Sequence, residues 1–446
     1  MRKEEIIETL SPLNFWGKSQ DTGFKRDEYL KKLNDFLKTK DVVICLVGVR
    51  RCGKTYLAKQ ILEQKSKEYS KESTLYILFE EPKFEPYLNV QLLDDIYESY
   101  KTYIYKDGIS FIVLDEIQNV KLWEKWIRIK LEKKENIKII ITGSSSKLLS
   151  SELSTVLTGR TLTLKVFPFS FKEFLSYKKL NIEKEYEIIT KKQEIKKHLT
   201  EYLTYGGFPQ IVLEKDISLK NQMLKEIFEG VIYRDIVFRH KIKDAHLVKV
   251  IAELAINNFS SLISATKLRN VLVQLISKKI SPNYVVNILE YLQEAFLIFQ
   301  IPIFSFKVKE QKLYPKKIYC IDTGLINAVT TKFTKDFGRI YENIVALYLI
   351  KNKGKENIFY WKSSEGYEVD FVTKEGLNID QLIQVCYDIE NEKTKEREIN
   401  SLIKAGKELN HKNLLMITDD YEGKEKINSK TILYKPLWKL LLSEKI

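Results

Sequence analysis

Residues 43–57 read VICLVGVRRCGKTYL, an apolar run, then a loop opened by Gly48 and closed by Gly53, Lys54 and Thr55, then a helix-forming stretch. A strand that runs through a tight turn straight into a helix belongs to a sheet with helices packed against it. The surrounding sequence agrees. Apolar runs DVVICLVGV, TLYILFE, ISFIVLDE, IKIIITGSS and LTLKVFP alternate with helical patterns over 54–67, 91–103 and 122–134. Fully apolar strands separated by helices imply a parallel sheet covered on both faces, so the expected fold class is α/β.

The loop has the chemistry of a phosphate cradle. Its glycines let the backbone aim N–H groups at phosphate oxygens, and the following helix points its positive dipole end the same way. Val49, Arg50, Arg51 and Cys52 complete the loop, and Tyr56 follows in the first turn of the helix. Lys54 is placed to reach the outer phosphates and the Thr55 hydroxyl to ligate Mg²⁺. The strand FIVLDE ends in Asp115 and Glu116. Asp115 is expected to hold the Mg²⁺ shell and Glu116 to polarise an attacking water. ITGSSS offers Thr142 and Ser144 as sensors of the outer phosphate, and a helix is read over KLLSSEL. Arg160, on the loop before LTLKV, is a candidate arginine finger toward a neighbouring subunit. No Asn-Lys-x-Asp element for reading guanine occurs, which favours ATP with Mg²⁺.

The chain has 446 residues, too many for one hydrophobic core, so several domains are expected. No apolar run approaches the roughly 20 residues of a membrane helix, so no membrane association is expected. Four cysteines without CxxC spacing and only four histidines argue against a zinc site and fit a reduced, cytoplasmic chain. A formal net charge of +14 favours a polyanionic partner, DNA first.

The segments GVRRCGKT, VLDEIQNVKLWEKW, ITGSSSKLLSSEL and LTGRTLTLKVFPFSFKEFL together resemble an AAA-type P-loop ATPase family of archaea and bacteria. DTGFKRDEYLKKL, YLTYGGFPQIVL and YRDIV are similar to it as well. The resemblance implies ATP binding and a C-terminal domain of unknown function like restriction endonucleases. Four domains follow: an ATPase core over 1–180, a helical lid over 181–243, a winged helix over 244–320 and the nuclease-like domain over 321–446. Arg234 or Arg239 could reach back from the lid to the nucleotide.

Within 244–320, three helical patterns end in SPNYVVNILEYLQEAF, with Ser281 as N-cap and Val285, Ile288, Leu289, Leu292 and Phe296 as its buried stripe. Strands FLIFQIPIF and KKIYCID, joined by SFKVKEQKLYP, read as a basic hairpin, the wing. Asn283, Tyr284 and Asn287 are placed to face a DNA groove, and Lys307, Lys309, Lys312, Lys316 and Lys317 to touch phosphates. The same helix exposes Glu290 and Glu294, which suits a protein partner instead.

In the C-terminal part, Glu342 on a helix and Asp370 on a strand beside Glu368 match two ligands of a nuclease metal site. The third element departs: Gln384 and Cys386 stand where Glu and Lys are expected, with Lys362 or Lys395 as replacement lysines. A vestigial metal site retained for binding is the expectation. The expected function is an Mg²⁺-dependent ATPase coupled to a DNA- or protein-binding module, working alone or as a homo-oligomer. The alternatives are an ATP-dependent nuclease and a slow-turnover switch.

Overall fold

The computed structural model describes residues 1–144, 156–182, 184–276, 279–330, 336–427 and 430–443. The helix expected over KLLSSEL lies outside the described residues. The chain divides into two compact units, Met1–Val166 and Phe167–Ile446.

The first unit is built on five strands: β1 (Val43–Val47), β2 (Thr74–Leu78), β3 (Ser110–Asp115), β4 (Ile137–Gly143) and β5 (Thr161–Lys165). They form one parallel sheet in the order β2-β3-β4-β1-β5. The apolar runs in the sequence are these strands; β1 to β4 are buried along nearly their whole length, while the edge strand β5 is only partly covered. Because β1 lies between β4 and β5, its C-terminal end opens beside that of β4. Ligands of open α/β sheets bind at that end, where the strand order reverses. At the outer edge, the buried Asn14 side chain mimics a strand neighbour of β2. Its Nδ2 donates to the Tyr76 carbonyl at 2.9 Å, and its Oδ1 accepts the Tyr76 N–H at 2.6 Å.

The second unit begins with helices, among them Lys192–Tyr205 and Ile217–Gly230, the latter running on into a π-helical stretch, Val231–Phe238. The buried Asp322 binds the TYGGFPQ turn: its Oδ2 accepts the Gly207 N–H at 2.7 Å, and its Oδ1 the Gly324 N–H at 2.9 Å. A side chain at Gly206 would drive its Cβ to 1.8 Å from Asp322 Oδ1, so only glycine fits there.

Helices Ala245–Asn257, Ala265–Ile276 and Pro282–Glu294 stand with a three-stranded antiparallel sheet, β6 (Ser261–Ile263), β7 (Ile298–Ile301) and β8 (Lys316–Cys320), in the order β6-β8-β7. Ser281 caps the third helix, accepting the Tyr284 N–H at 3.1 Å, and the expected stripe is buried. β7 and β8 pair antiparallel as the strand pair read in the sequence, and the connection between them adds one element. This is a short helix, Val308–Leu313. The Ser305 hydroxyl accepts the Lys307 N–H and donates to Glu310, a local network that selects a helical turn over an extended strand.

The remaining strands form one six-stranded sheet: β9 (Ile358–Lys362), β10 (Glu368–Glu375), β11 (Asn378–Val385), β12 (Asn413–Thr418), β13 (Gly423–Ile427) and β14 (Lys430–Pro436), in the order β13-β14-β12-β11-β10-β9. Helix Glu392–Glu408 packs on it, and Leu402, Ile403 and Ala405 join Val369, Leu382, Leu414 and Ile432 in the core. The β13–β14 pair was not legible in the sequence.

Candidate nucleotide site

Each residue of the expected phosphate cradle lies at the C-terminal end of β1. Gly48 must be glycine because an added Cβ would come within 2.1 Å of the Val166 carbonyl oxygen. Gly53 has φ 97° and starts the helix Lys54–Glu68, while Arg51 takes the left-handed conformation at φ 68°. Val49 and Cys52 are buried and Arg51 is exposed, so the two ends of the loop are anchored and its tip faces outward. Lys54 folds back over the loop, its Nζ donating to the Gly48 carbonyl at 2.9 Å and the Val49 carbonyl at 3.2 Å. The first-turn N–H groups of a helix have no acceptor within it. Together with this ammonium they make an anion site.

Asp115 is a hub. Its Oδ2 accepts the Thr55 hydroxyl at 2.9 Å and also the Tyr76 hydroxyl, while its Oδ1 accepts the Thr142 hydroxyl. Thr142 Oγ1 in turn accepts the Glu116 N–H at 3.1 Å. Glu116 is held in a left-handed backbone, φ 55°, and its carboxylate receives the Gln118 amide. Burial raises the Glu116 carboxyl above the ordinary carboxylate range, with Lys54 opposing. A carboxylate with raised proton affinity is suited to accept a proton. The residues present fit Mg²⁺·ATP: a hydroxyl and a carboxylate share one spot for the metal, with an ammonium and helix start beside it.

Of the two sensor candidates, Thr142 is wired to the acid pair. Ser144 is buried at the end of β4. Tyr56 is 48% exposed, and its ring lies over Gly23, where a Cβ would approach to 2.8 Å. Arg160 is not brought to this place. Its carbonyl accepts the Val43 N–H at 2.9 Å, at the start of β1, and its guanidinium lies 3.8 Å from Glu132. It therefore stands at the opposite end of β1 from the loop. In the second unit, Arg239 pairs with Asp235 at 3.5 Å and Arg234 is exposed on the π-helical stretch.

Sequence reasoning missed Tyr76 and Arg26. Arg26 is 2% exposed, stacks on Tyr29 at 4.3 Å and donates from Nη1 to the Cys52 carbonyl at 3.1 Å, holding the loop from behind. A single arginine before a helix carried no signal of this. Arg26→Met is expected to destabilise the first unit by about 2–3 kcal/mol, the range for a charged hydrogen bond lost in a buried place. Denaturant titration checks this, and ATP affinity is expected to fall with it because the loop loses its brace.

The C-terminal candidates also meet. Glu342, Asp370 and Glu368 converge, but on Lys317 rather than on open space. Lys317, expected on an exposed wing, is 2% exposed. Lys317 and Tyr319 share the face of β8 that meets Glu342, and the other face is buried as well, so β8 is covered on both sides rather than exposed as a wing. Burial lowers the Lys317 ammonium's proton affinity, but Asp370 and then Glu342 more than offset it, so its pKa is raised. Burial and then Asp370 push the Glu342 carboxyl up. Gln384 Oε1 accepts the Asp370 N–H at 3.1 Å, and burial pushes the Cys386 thiol up to about 12. Lys362 pairs with Glu368 at 3.0 Å, while Lys395 faces Glu425 at 3.6 Å, away from the cluster. Among the described residues, no three or more His, Cys, Asp or Glu side chains are arranged to hold a metal.

Comparison with known proteins bears on the whole chain. A family described as an AAA domain matches residues 40–175, and two domains of unknown function match 196–336 and 337–438. The uncharacterised protein MJ1544 of Methanocaldococcus jannaschii is 41% identical over 407 residues, covering 89% of this chain and 88% of its own. An uncharacterised protein of Haemophilus influenzae is 30% identical over 418 residues, covering 93% and 98%. Among solved structures, the Aeropyrum pernix ORC1 protein in complex with DNA aligns over 69% of this chain and 93% of its own, at 12% identity and a TM-score of 0.31. Cdc6p from Pyrobaculum aerophilum aligns over 74% and 97%, at 13% identity and a TM-score of 0.30. No described helix is long and apolar enough to cross a membrane. With its parallel five-stranded sheet, its glycine-lysine loop and the Asp115–Glu116 pair, the chain belongs to the AAA-type P-loop ATPase family, together with these archaeal and bacterial relatives.

Proposed function

We propose that this chain is an Mg²⁺-dependent ATPase whose nucleotide cycle drives a DNA-binding winged helix in residues 244–320. The ATPase half is carried by the knot at Asp115, which joins Thr55, Tyr76 and Thr142 one residue before Glu116. Thr55 and Asp115 would hold Mg²⁺, and Lys54 would leave the Gly48 and Val49 carbonyls for the outer phosphates. Bound Mg²⁺·ATP supplies the phosphoryl group and neutralises its developing charge. Glu116 orients the attacking water and accepts its proton. Arg160, far from its own loop, serves a second copy of the chain.

The DNA half is supported by the net charge of +14 and by exposed Lys307, Lys309 and Lys312 beside an 87% exposed Phe306. Asn283 and Asn287 are exposed at the start of the third helix. Exposed Val308 and Leu313 on the same connection favour a second reading, a protein partner. Fluorescence anisotropy with duplex DNA over a salt series separates the two. Changing the three lysines to alanine together is expected to reduce the slope of log affinity against log salt by roughly 2–3. A slope unchanged by the triple substitution, or no DNA binding at all, rejects the DNA half. ATP turnover measured in the same preparation tests the other half independently.

A further inference from the structure

The carboxylates read as a metal site already hold a cation. Lys317 Nζ lies 2.8 Å from Asp370 Oδ1, 2.9 Å from Glu368 Oε1 and 3.0 Å from Glu342 Oε1. An ammonium has three protons to donate, and three carboxylate oxygens receive them. The neighbouring groups complete the arrangement. The Tyr319 hydroxyl donates to the same Glu342 oxygen at 2.7 Å. The second oxygen of Asp370 accepts the Val385 N–H at 2.9 Å, and that of Glu368 faces Lys362 at 3.0 Å. Gln384 turns its carbonyl to the Asp370 N–H at 3.1 Å and its amide to Glu398 at 2.6 Å, so it is held by the backbone of β10 and by Glu398.

This disagrees with a divalent site. Mg²⁺ asks for six oxygens in near-octahedral order at about 2.1 Å, most of them waters or carboxylates. Here the centre of the carboxylate group is a buried nitrogen that carries its own charge. It also arrives from β8, whereas the carboxylates come from helix Phe337–Lys353 and β10.

We propose that Lys317 is the resident cation of this cluster, standing in place of a divalent metal and clamping the three-stranded sheet to the C-terminal sheet. The cluster then needs no metal, and the carboxylates are a divalent site only when the lysine is removed. Lys317→Ala frees three converging carboxylate oxygens, which suits Mn²⁺. The inference stands apart from the ATPase reading, because none of its residues belongs to the nucleotide site.

The test is titration of the full-length, nucleotide-free chain with Mn²⁺, read by calorimetry and by the free-Mn²⁺ electron paramagnetic resonance signal. Wild type and Glu342→Gln are expected to bind Mn²⁺ identically. Lys317→Ala is expected to gain one Mn²⁺ per chain, lost again in the Lys317→Ala, Glu342→Gln double variant, with a melting temperature raised by Mn²⁺ only in the single variant. Mn²⁺ binding by wild type that disappears in Glu342→Gln overturns the proposal. So does a folded Lys317→Ala that gains no site. Should Lys317→Ala fail to fold, the comparison of wild type with Glu342→Gln decides alone.

Discussion

Lys54→Ala is expected to weaken ATP binding by about 10- to 150-fold, the equivalent of the roughly 1.5–3 kcal/mol carried by a charge-assisted hydrogen bond. Hydrolysis is expected to fall further, because charge on the outer phosphoryl oxygens is redistributed as the bond breaks and a fixed cation there acts most on the transition state. The fold should survive. Lys54 is bonded to the Gly48 and Val49 carbonyls of its own loop and ties no distant elements together. Equilibrium binding of a fluorescent ATP analogue and a steady-state phosphate assay read the two effects separately. Turnover that persists unaltered in Lys54→Ala would falsify the assignment of this loop.

Glu116→Gln is expected to separate binding from chemistry. The amide has the same size and can keep the bond from Gln118, but it cannot take a proton from water. A positioned general base contributes about 10²- to 10⁴-fold, so single-turnover hydrolysis should slow within that range. ATP affinity should change by no more than a few-fold, since Thr55 and Asp115 remain paired at 2.9 Å. The outcome also divides an active ATPase from a slow switch, whose turnover would be indifferent to the change. Because Glu116 sits in a left-handed backbone beside Thr142, the circular dichroism melt of the variant should be recorded alongside.

Much of the first unit was legible in the sequence, and the second unit less so. The strands β1 to β4 appeared as apolar runs because a parallel strand covered on both faces needs no polar side. The helix Pro282–Glu294 was legible through its N-cap and its stripe. The connection 305–315 was read only as the link between the paired strands, and its short helix was not legible because the deciding bonds run through Ser305. The β13–β14 pair was hidden because its residues alternate with many charges and no long apolar run marks it. Lys317 was placed on the surface because a lysine is usually there, and nothing local announces three carboxylates converging on it.

The local chemistry is written in the order of the residues: where the chain must turn on glycine, which strand ends in Asp115 and Glu116, and which helix begins with Lys54 and Thr55. Those features depend on residues within a few positions of one another, so periodicity and composition express them. The distant groups that complete each site are brought in by the folding of the whole chain. Tyr76 reaches Asp115 across 39 residues, Arg26 reaches Cys52 across 26, and Lys317 reaches Asp370 across 53. Such pairings are set by strand order and by which face of a strand turns inward, and a buried charge keeps its place only where the fold delivers a counter-charge to it.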